Sequence, residues 1–349
     1  MENRNEKLLS IIVPCYNSEA FLKKMIKSLL EIPGDGIEFI FTDDGSTDGT
    51  PVILRKITDS RVKILSQENG GPGKARNTGL NLASGKYVMF ADNDDIMDTD
   101  SMKKLLPILA EQENVEEICL RLTREQENLG DGLADFLKSR NADERNSSTV
   151  LHALMAQGEK ETHYFDQNNY AIYGPVAKFY RRDIIEKHNI RFRENLRWGE
   201  DIAFNMEYLG RIRSVTFWPV TIYYYRDNDA SLIGKKFVGK SSHVKKFIYA
   251  ASEILDLKND ETLHFFEALC AKQYIYALQN DFLCRENPES YMERRKKAVK
   301  FLHENAFFER GIRQVRLKLL LPANALCVIL VRLGFFFALQ CIIRLYERI

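Results

Sequence analysis

Tyr87-Val88-Met89-Phe90-Ala91-Asp92-Asn93-Asp94-Asp95 runs an apolar segment straight into three carboxylates. The apolar part reads as a strand buried on both faces, the pattern of a parallel sheet. Carboxylates crowded at the mouth of such a strand repel one another and resist desolvation, and a cation relieves both costs. Hard oxygen donors of this kind suit Mg²⁺ or Mn²⁺. The stretch therefore reads as a divalent-cation site at a strand end, where open α/β sheets place their ligands.

Upstream, Leu9-Ser10-Ile11-Ile12-Val13, Ile37-Glu38-Phe39-Ile40-Phe41 and Val62-Lys63-Ile64-Leu65 read as three more strands. Helical patterns separate them. Phe21, Leu22, Met25, Ile26 and Leu29 recur at helical spacing behind Ser18, a candidate cap, and Pro33-Gly34 ends that helix. A short helix is expected over residues 50–58, and another, carrying Ala75, Leu80 and Leu82, after Gly70-Gly71-Pro72-Gly73. Strands alternating with helices predict an α/β fold, a mostly parallel sheet with helices on both faces. Past Leu122 the rhythm breaks, and residues 123–170 are polar and resist assignment. Order returns at residues 177–180, with helices expected from Asp183 and over residues 200–209. Two short strands follow near residues 214–217 and 221–225, and a helical pattern runs from Phe237 onward.

The bulk properties narrow the class. A chain of 349 residues with 45% hydrophobic and 28% charged residues is an ordinary globular composition. A net charge of +1 argues against a general nucleic-acid binder. Six scattered cysteines form no CxxC pair and no Cys/His cluster, which reads as reduced thiols in a cytoplasmic chain. The polar N-terminus lacks the shape of a signal peptide.

Three loops leave the ends of the first, second and fourth expected strands: Pro14-Cys15-Tyr16-Asn17, Asp43-Asp44-Gly45-Ser46 and Asp92-Asn93-Asp94-Asp95. In a parallel sheet those ends share one edge, so the loops converge. Tyr16 offers an aromatic face to a planar base, Asp44 an acceptor for a base N–H, and a metal on the aspartates would bridge a diphosphate. Each piece alone has an ordinary structural reading. A tyrosine packs, Asp-Asp-Gly-Ser is a turn, and Asp95 and Asp98 are placed as helix caps near Thr99. It is their convergence that points to a nucleotide-diphosphate site. The glycine stretch is no dinucleotide fingerprint, since GxGxxG is absent, and no Walker A lysine motif occurs. Arg76, on the helix behind it, faces either the nucleotide or solvent.

Taken together, Ser10-Ile-Ile-Val-Pro-Cys-Tyr-Asn17, Asp43-Asp-Gly-Ser-Thr-Asp-Gly-Thr50, Asn69-Gly-Gly-Pro-Gly-Lys-Ala-Arg-Asn-Thr-Gly79 and Ala91-Asp-Asn-Asp-Asp95 resemble the family 2 glycosyltransferases and their GT-A fold. The resemblance is specific over residues 8–110, looser to about 235, and fades beyond. It implies a nucleotide-sugar half over residues 1–115, an acceptor half over 116–235 and a helical extension over 236–349. Tyr16, beside Pro14, would stack on the uracil of a UDP-sugar, and Asp44 would accept from its ring N–H. Arg76 would help hold the nucleotide. Asp92 and Asp94 would be the metal-binding pair for Mn²⁺ or Mg²⁺, with Asp95 an extra acid.

Trp198-Gly199-Glu200-Asp201 resembles the family's Glu-Asp motif, which implies that Asp201, with Glu200 beside it, takes the proton of the acceptor hydroxyl in an inverting transfer. A helix N-terminus also favours acids for its own sake. Tyr223-Tyr224-Tyr225-Arg226, with Ser231 beyond, resembles a segment that closes over the donor diphosphate, which makes Arg226 a phosphate contact. The implied acceptor is a glycan or lipid-linked hydroxyl in capsule, exopolysaccharide or cell-wall assembly. Two readings stand beside this one: a relative that binds nucleotide sugar without transfer, and a sugar nucleotidyltransferase. The second usually needs a basic glycine-rich loop where Pro14-Cys15-Tyr16-Asn17 stands.

Finally, Arg294-Arg295-Lys296-Lys297, Arg310, Arg313, Arg316 and Lys318 precede an apolar stretch over residues 317–343 that Pro322, Arg332 and Gln340 interrupt. That stretch is poor for a spanning helix and better for helices lying on a membrane or docking elsewhere. The expectation is peripheral contact through residues 311–349 at the inner face of the plasma membrane.

Overall fold

The computed structural model describes residues 7–158, 160–226 and 239–346. The chain divides into two compact units, Met1–Val150 with Phe165–Asn228, and Leu151–Tyr164 with Asp229–Ile349.

The first unit is built on one sheet. β1 (Leu9–Cys15), β2 (Ile37–Asp43) and β4 (Tyr87–Phe90) are buried along their whole length, as their mostly apolar runs lead one to expect, and the buried Ser10 hydroxyl donates to Glu38 at 2.6 Å. β3 (Val62–Ser66) is the half-exposed edge and carries Lys63, a charge that discourages edge pairing. These four strands are parallel, in the order β3-β2-β1-β4. The helices α1 (Leu22–Leu30), α2 (Thr50–Leu54) and α3 (Pro72–Leu80) connect them. Beyond β4 the sheet is mixed. β5 (Ile96–Met97), α4 (Thr99–Ala110), β6 (Glu117–Thr123), α5 (Leu133–Ser139), β7 (Asp143–Asn146), α6 (Ser147–Met155), α7 (Lys160–Gln167), β8 (Lys178–Arg181), α8 (Arg182–Lys187), α9 (Glu200–Leu209) and β9 (Ser214–Tyr224) follow in the chain. The order continues β4-β8-β6-β9-β5, with β7 also on β9. Since β8 is antiparallel to both β4 and β6, and β9 is parallel to β6, the strands β1 to β4, β6 and β9 all end on one edge.

Several local expectations change. Ser18 does not cap α1. The helix begins at Leu22 behind Phe21, and the Ser18 hydroxyl instead accepts from the Tyr16 N–H at 3.1 Å. Asp98 is the cap of α4, accepting from Ser101 N–H. α2 stops at Leu54. The two short strands expected over residues 214–225 are one, β9, and Pro219 falls where its register with β6 shifts. A bulge is where a strand tolerates proline.

The second unit is helical: α10 (Lys240–Ile254), α11 (Asp260–Ala277), α12 (Tyr291–His303), α13 (Ala306–Gln314), α14 (Pro322–Arg332) and α15 (Phe336–Tyr346), with a π turn at Leu278–Phe282 closing α11. Gly311 lets α13 sit against α11, since a Cβ there would lie 2.6 Å from the Cys270 Cβ. Of the basic residues expected on its surface, Arg294 is buried and donates to the Cys284 carbonyl at 3.1 Å. All six cysteines are free thiols. Among the described residues no helix is long and apolar enough to cross a membrane.

Candidate active site

The loops leaving the parallel edge are zipped together by their own polar groups. The Ser18 N–H donates to Thr50 Oγ1 at 2.7 Å, and the Thr47 N–H to Asn17 Oδ1 at 2.8 Å, joining the first loop to the second. Asn93 Nδ2 donates to the Pro14 carbonyl at 2.8 Å, joining the first to the acidic loop. Asp44 joins the second loop to the glycine stretch before α3. Its carboxylate accepts from Gly70 N–H and Gly71 N–H, each at 2.8 Å, and from Gln67 Nε2 at 2.7 Å. A carboxylate has about four acceptor positions, so these three bonds leave one for a ligand N–H. Gly45 is required by this contact: its φ is +72°, and a Cβ would lie 2.9 Å from Asn69 N. Tyr16 stands over the edge half exposed.

In the acidic loop the three carboxylates have different surroundings. Asp95, which the sequence offered only as a helix cap or an extra acid, is the buried one. Its Oδ1 accepts from the Arg226 N–H at 2.9 Å, and the Tyr223 hydroxyl hydrogen-bonds the carboxyl. Burial first, then the charge of Asp92, pushes its carboxyl up to about 8. The Tyr223 hydroxyl, from β9, accepts from the Asp92 N–H at 2.8 Å. β5 pairs with the end of β9, which brings Tyr223 and Arg226 to this loop. Asp94 is half-buried and adds to the charge that raises Asp95. Among the described residues no three acidic, histidine or cysteine groups are gathered into a preformed cation cage. Mg²⁺ sites on phosphate substrates commonly take only one or two carboxylates, so a full cage is not needed. The Tyr223 hydroxyl bears on the Asp95 carboxyl, so it is the crowding of Asp92, Asp94 and Asp95 that fits a cation held by Asp92 and Asp94.

Arg76 lies between this loop and α9. It is 6% exposed. Nη2 meets Asp92 Oδ1 at 2.8 Å, Nη1 meets Glu200 Oε1 at 3.2 Å, and the guanidinium lies over the Phe192 ring at 5.3 Å. Burial works against its charge, but Asp92 and Glu200 outweigh it and hold the pKa above the ordinary arginine value. Beneath it Phe90, Phe192, Phe204 and Tyr180 form one aromatic cluster, with Phe192 stacked on Phe204 at 4.2 Å. Phe90 is the last residue of β4 and Phe204 belongs to α9, so the cluster fixes the acidic loop and the start of α9 to the same core.

α9 begins at Gly199, in the left-handed region at φ +77°, and opens with Glu200 and Asp201. Burial, then the charge of Asp201, raises Glu200 to about 7, with Arg76 opposing. Burial likewise raises Asp201, again against Arg76. Asp201 Oδ1 accepts from the Ile202 N–H at 2.8 Å. Glu200 is thus engaged with Arg76, and Asp201 is the member of the pair bonded only along its own helix turn among the bonds described. The Arg226 guanidinium lies over the Phe21 ring at 5.2 Å, and Arg124, at the end of β6, lies over Tyr225 at 5.1 Å. Ser231 lies outside the described residues.

The geometry brings Pro14, Tyr16, Asp44, Arg76, Asp92, Asp94, Glu200, Asp201 and the Arg226 backbone to the parallel edge of one unit. Sequence reasoning missed Tyr223, Gln67 and the burial of Asp95. Tyr223 stood inside a segment already singled out, but its hydroxyl contact depends on a strand pairing across more than a hundred residues.

The model of the family described as "Glycosyl transferase family 2" matches residues 10–189, more than half of the chain. The chain belongs to glycosyl transferase family 2. Among curated proteins, it is 30% identical over 227 residues to the uncharacterized glycosyltransferase EpsJ of Bacillus subtilis, covering 64% of this chain and 62% of EpsJ. It is 27% identical over 258 residues to the poly(ribitol-phosphate) beta-N-acetylglucosaminyltransferase TarS of Staphylococcus aureus, covering 72% of this chain and 41% of TarS. The chain thus spans less than two thirds of the length of these relatives. The crystal structure of S. aureus TarS 1–349 in complex with UDP-GlcNAc superposes with a TM-score of 0.68 at 21% identity, covering 98% of this chain and 92% of that one. The likeness establishes the GT-A fold of this family 2 chain.

Proposed function

We propose that the chain is an inverting, metal-dependent glycosyltransferase. It would move a sugar from a nucleoside diphosphate, most simply UDP, to a hydroxyl of a glycan or lipid-linked acceptor in bacterial cell-wall or polysaccharide assembly. The observation that carries this reading is the Arg76 bridge, which sets a carboxylate pair, Glu200 buried and Asp201 half-buried, at the start of α9 beside the loops suited to a nucleotide. Family membership and a TarS relative crystallised with UDP-GlcNAc support it.

In this reading Tyr16 covers one face of the uracil and the remaining acceptor position of Asp44 takes its ring N–H. Asp92 and Asp94 hold a divalent cation, which when bound neutralises the diphosphate leaving group. Asp201 removes the acceptor proton as the hydroxyl oxygen bonds to the anomeric carbon and the bond to UDP breaks. Glu200 keeps Arg76 in place rather than touching the acceptor. For Arg226 to reach the diphosphate its guanidinium must leave Phe21.

A donor panel with Mn²⁺ tests the proposal. UDP release from one sugar nucleotide, dependent on a glycan acceptor, is expected. Pyrophosphate release would move the chain to the nucleotidyltransferases, and nucleotide binding without release would make it a non-catalytic relative. Asp94→Asn is expected to weaken Mn²⁺-dependent UDP binding by about 100-fold, because a carboxylate–cation contact is worth several kcal/mol. Titration calorimetry with and without Mn²⁺ checks this, and an unchanged metal dependence would remove Asp94 from the ligand set. Tyr16→Ala is expected to weaken UDP binding by roughly 10-fold, the scale of one base–aromatic stack. If the loss were equal for UDP and for inorganic diphosphate, Tyr16 would not be the base platform.

A further inference from the structure

Seven of the twelve large hydrophobic side chains exposed among the described residues lie between Met292 and Leu345, all in the helical unit. On α14, Leu326 and Ile329 continue to Leu333 at three- and four-residue spacing along one stripe, while Cys327, Val328 and Val331 are buried on the other. α15 repeats the pattern, with Phe337 and Leu345 outward at 65% and 61% exposure and Phe336, Leu339 and Ile343 inward. Phe335, between the helices, is 56% exposed. An outward helix face normally carries charge. Here the one charge on α14, Arg332, turns its guanidinium back onto the carbonyls of Ile312 and Val315, at 2.6 and 3.1 Å.

This part of the chain is rich in cations: residues 285–346 hold twelve Lys and Arg against five Asp and Glu, a net +7 in a chain whose total is +1. Arg294 and Arg332 are turned inward and Arg310 pairs with Glu267, so the cations that flank the face are those of the exposed side of α12. From α12, Arg295 lies over the Phe336 ring at 5.9 Å and Tyr291 meets Phe337 edge-on at 5.7 Å. Met292, Glu293, Arg295, Lys296 and Val299 line a cleft of about 450 Å³, two cations against one acid.

We infer that the α14–α15 face, with the cleft on α12, is a docking surface for an anionic phospholipid bilayer. The exposed leucines and phenylalanines enter the interface between headgroups and acyl chains, while Arg295 and Lys296 meet lipid phosphates. A second copy of the chain is the weaker occupant, because a self-complementary contact would set one +7 region against another.

Co-sedimentation of the full chain with vesicles tests this without reference to glycosyl transfer. Binding is expected to phosphatidylglycerol-containing vesicles, to be several-fold weaker to pure phosphatidylcholine, and to decline as NaCl rises from about 0.1 to 0.5 M. Phe335→Ser/Phe337→Ser should lower partitioning by at least ~10-fold. Arg295→Ser/Lys296→Ser should lower it on the anionic vesicles only. Leu82→Ser, an exposed leucine in the other unit, should leave it unchanged and controls for general loss of apolar surface. Unaltered binding by both double variants would overturn the proposal. So would a wild-type dimer in light scattering that Phe335→Ser/Phe337→Ser disperses, with no vesicle binding by either protein.

Discussion

Asp201→Asn is expected to lower kcat for glycosyl transfer by about 1,000-fold, within the range that general-base catalysis contributes. UDP affinity should change less than about 2-fold, because Asp201 lies at the start of α9 and not on the nucleotide loops. The amide is nearly isosteric and still accepts from the Ile202 N–H, so the fold should be unaffected. Steady-state kinetics together with UDP titration calorimetry separate the two effects. A parallel loss of UDP binding would place Asp201 in the donor site and remove it as the base. The pH profile follows from the same surroundings. Burial raises both carboxyls of the pair, Glu200 to about 7. A base works only when deprotonated, so the rate should be present above this range and fall as pH drops through it. Because the two groups are coupled, the falling limb reports the pair rather than either residue.

The elements legible in the sequence are those whose environment is uniform along their length. β1, β2 and β4 are buried on both faces, so their runs are mostly apolar, broken only by Ser10 and Glu38 before the strand ends, and no partner need be known to recognise them. α9 was legible over its whole extent because Gly199, two acids and a helical pattern mark its start. β7 was invisible, since Asp-Glu-Arg-Asn gives no apolar signal. It exists because its backbone pairs with β9. Residues 123–170 fold into short pieces that set no clear period: α5 buries only Leu133 and Phe136, whereas α6 is buried over most of its nine residues, so no polar face alternates with an apolar one. In the site, residue types and loop positions were readable, whereas burial was not. Asp95 and Asp92 look alike in sequence. Only the pairing of β5 with the end of β9 supplies the Arg226 N–H and the Tyr223 hydroxyl that distinguish them. The same limit applies to Arg76, whose two acidic partners lie 16 and 124 residues away.

Arg76→Met is expected to destabilise the protein by about 3 kcal/mol or more, the usual cost of removing one partner from a buried ion pair. On a unit of this size that corresponds to a fall of roughly 10 °C in melting temperature. The cause is electrostatic. Methionine fills much of the volume over Phe192, but it leaves Asp92 and Glu200 without the cation that now lies 2.8 and 3.2 Å from them. Arg76→Lys should recover only part of the loss, because a single ammonium cannot reproduce the planar fork that meets both acids at once. Arg76→Met/Glu200→Gln should be more stable than Arg76→Met alone, since one of the two stranded charges is gone. Arg76 also lowers the Glu200 carboxyl, so its removal should move the low-pH limb of the rate profile to higher pH. If Arg76 served only as a nucleotide contact, Arg76→Met would weaken UDP binding while leaving melting temperature and pH profile in place, and Glu200→Gln would rescue nothing. The contrast decides whether this guanidinium belongs to the ligand or to the frame. Its burial against Phe192 and its two carboxylate partners predict the first outcome, a guanidinium that holds the acidic loop and the start of α9 in register whether or not it also meets the donor.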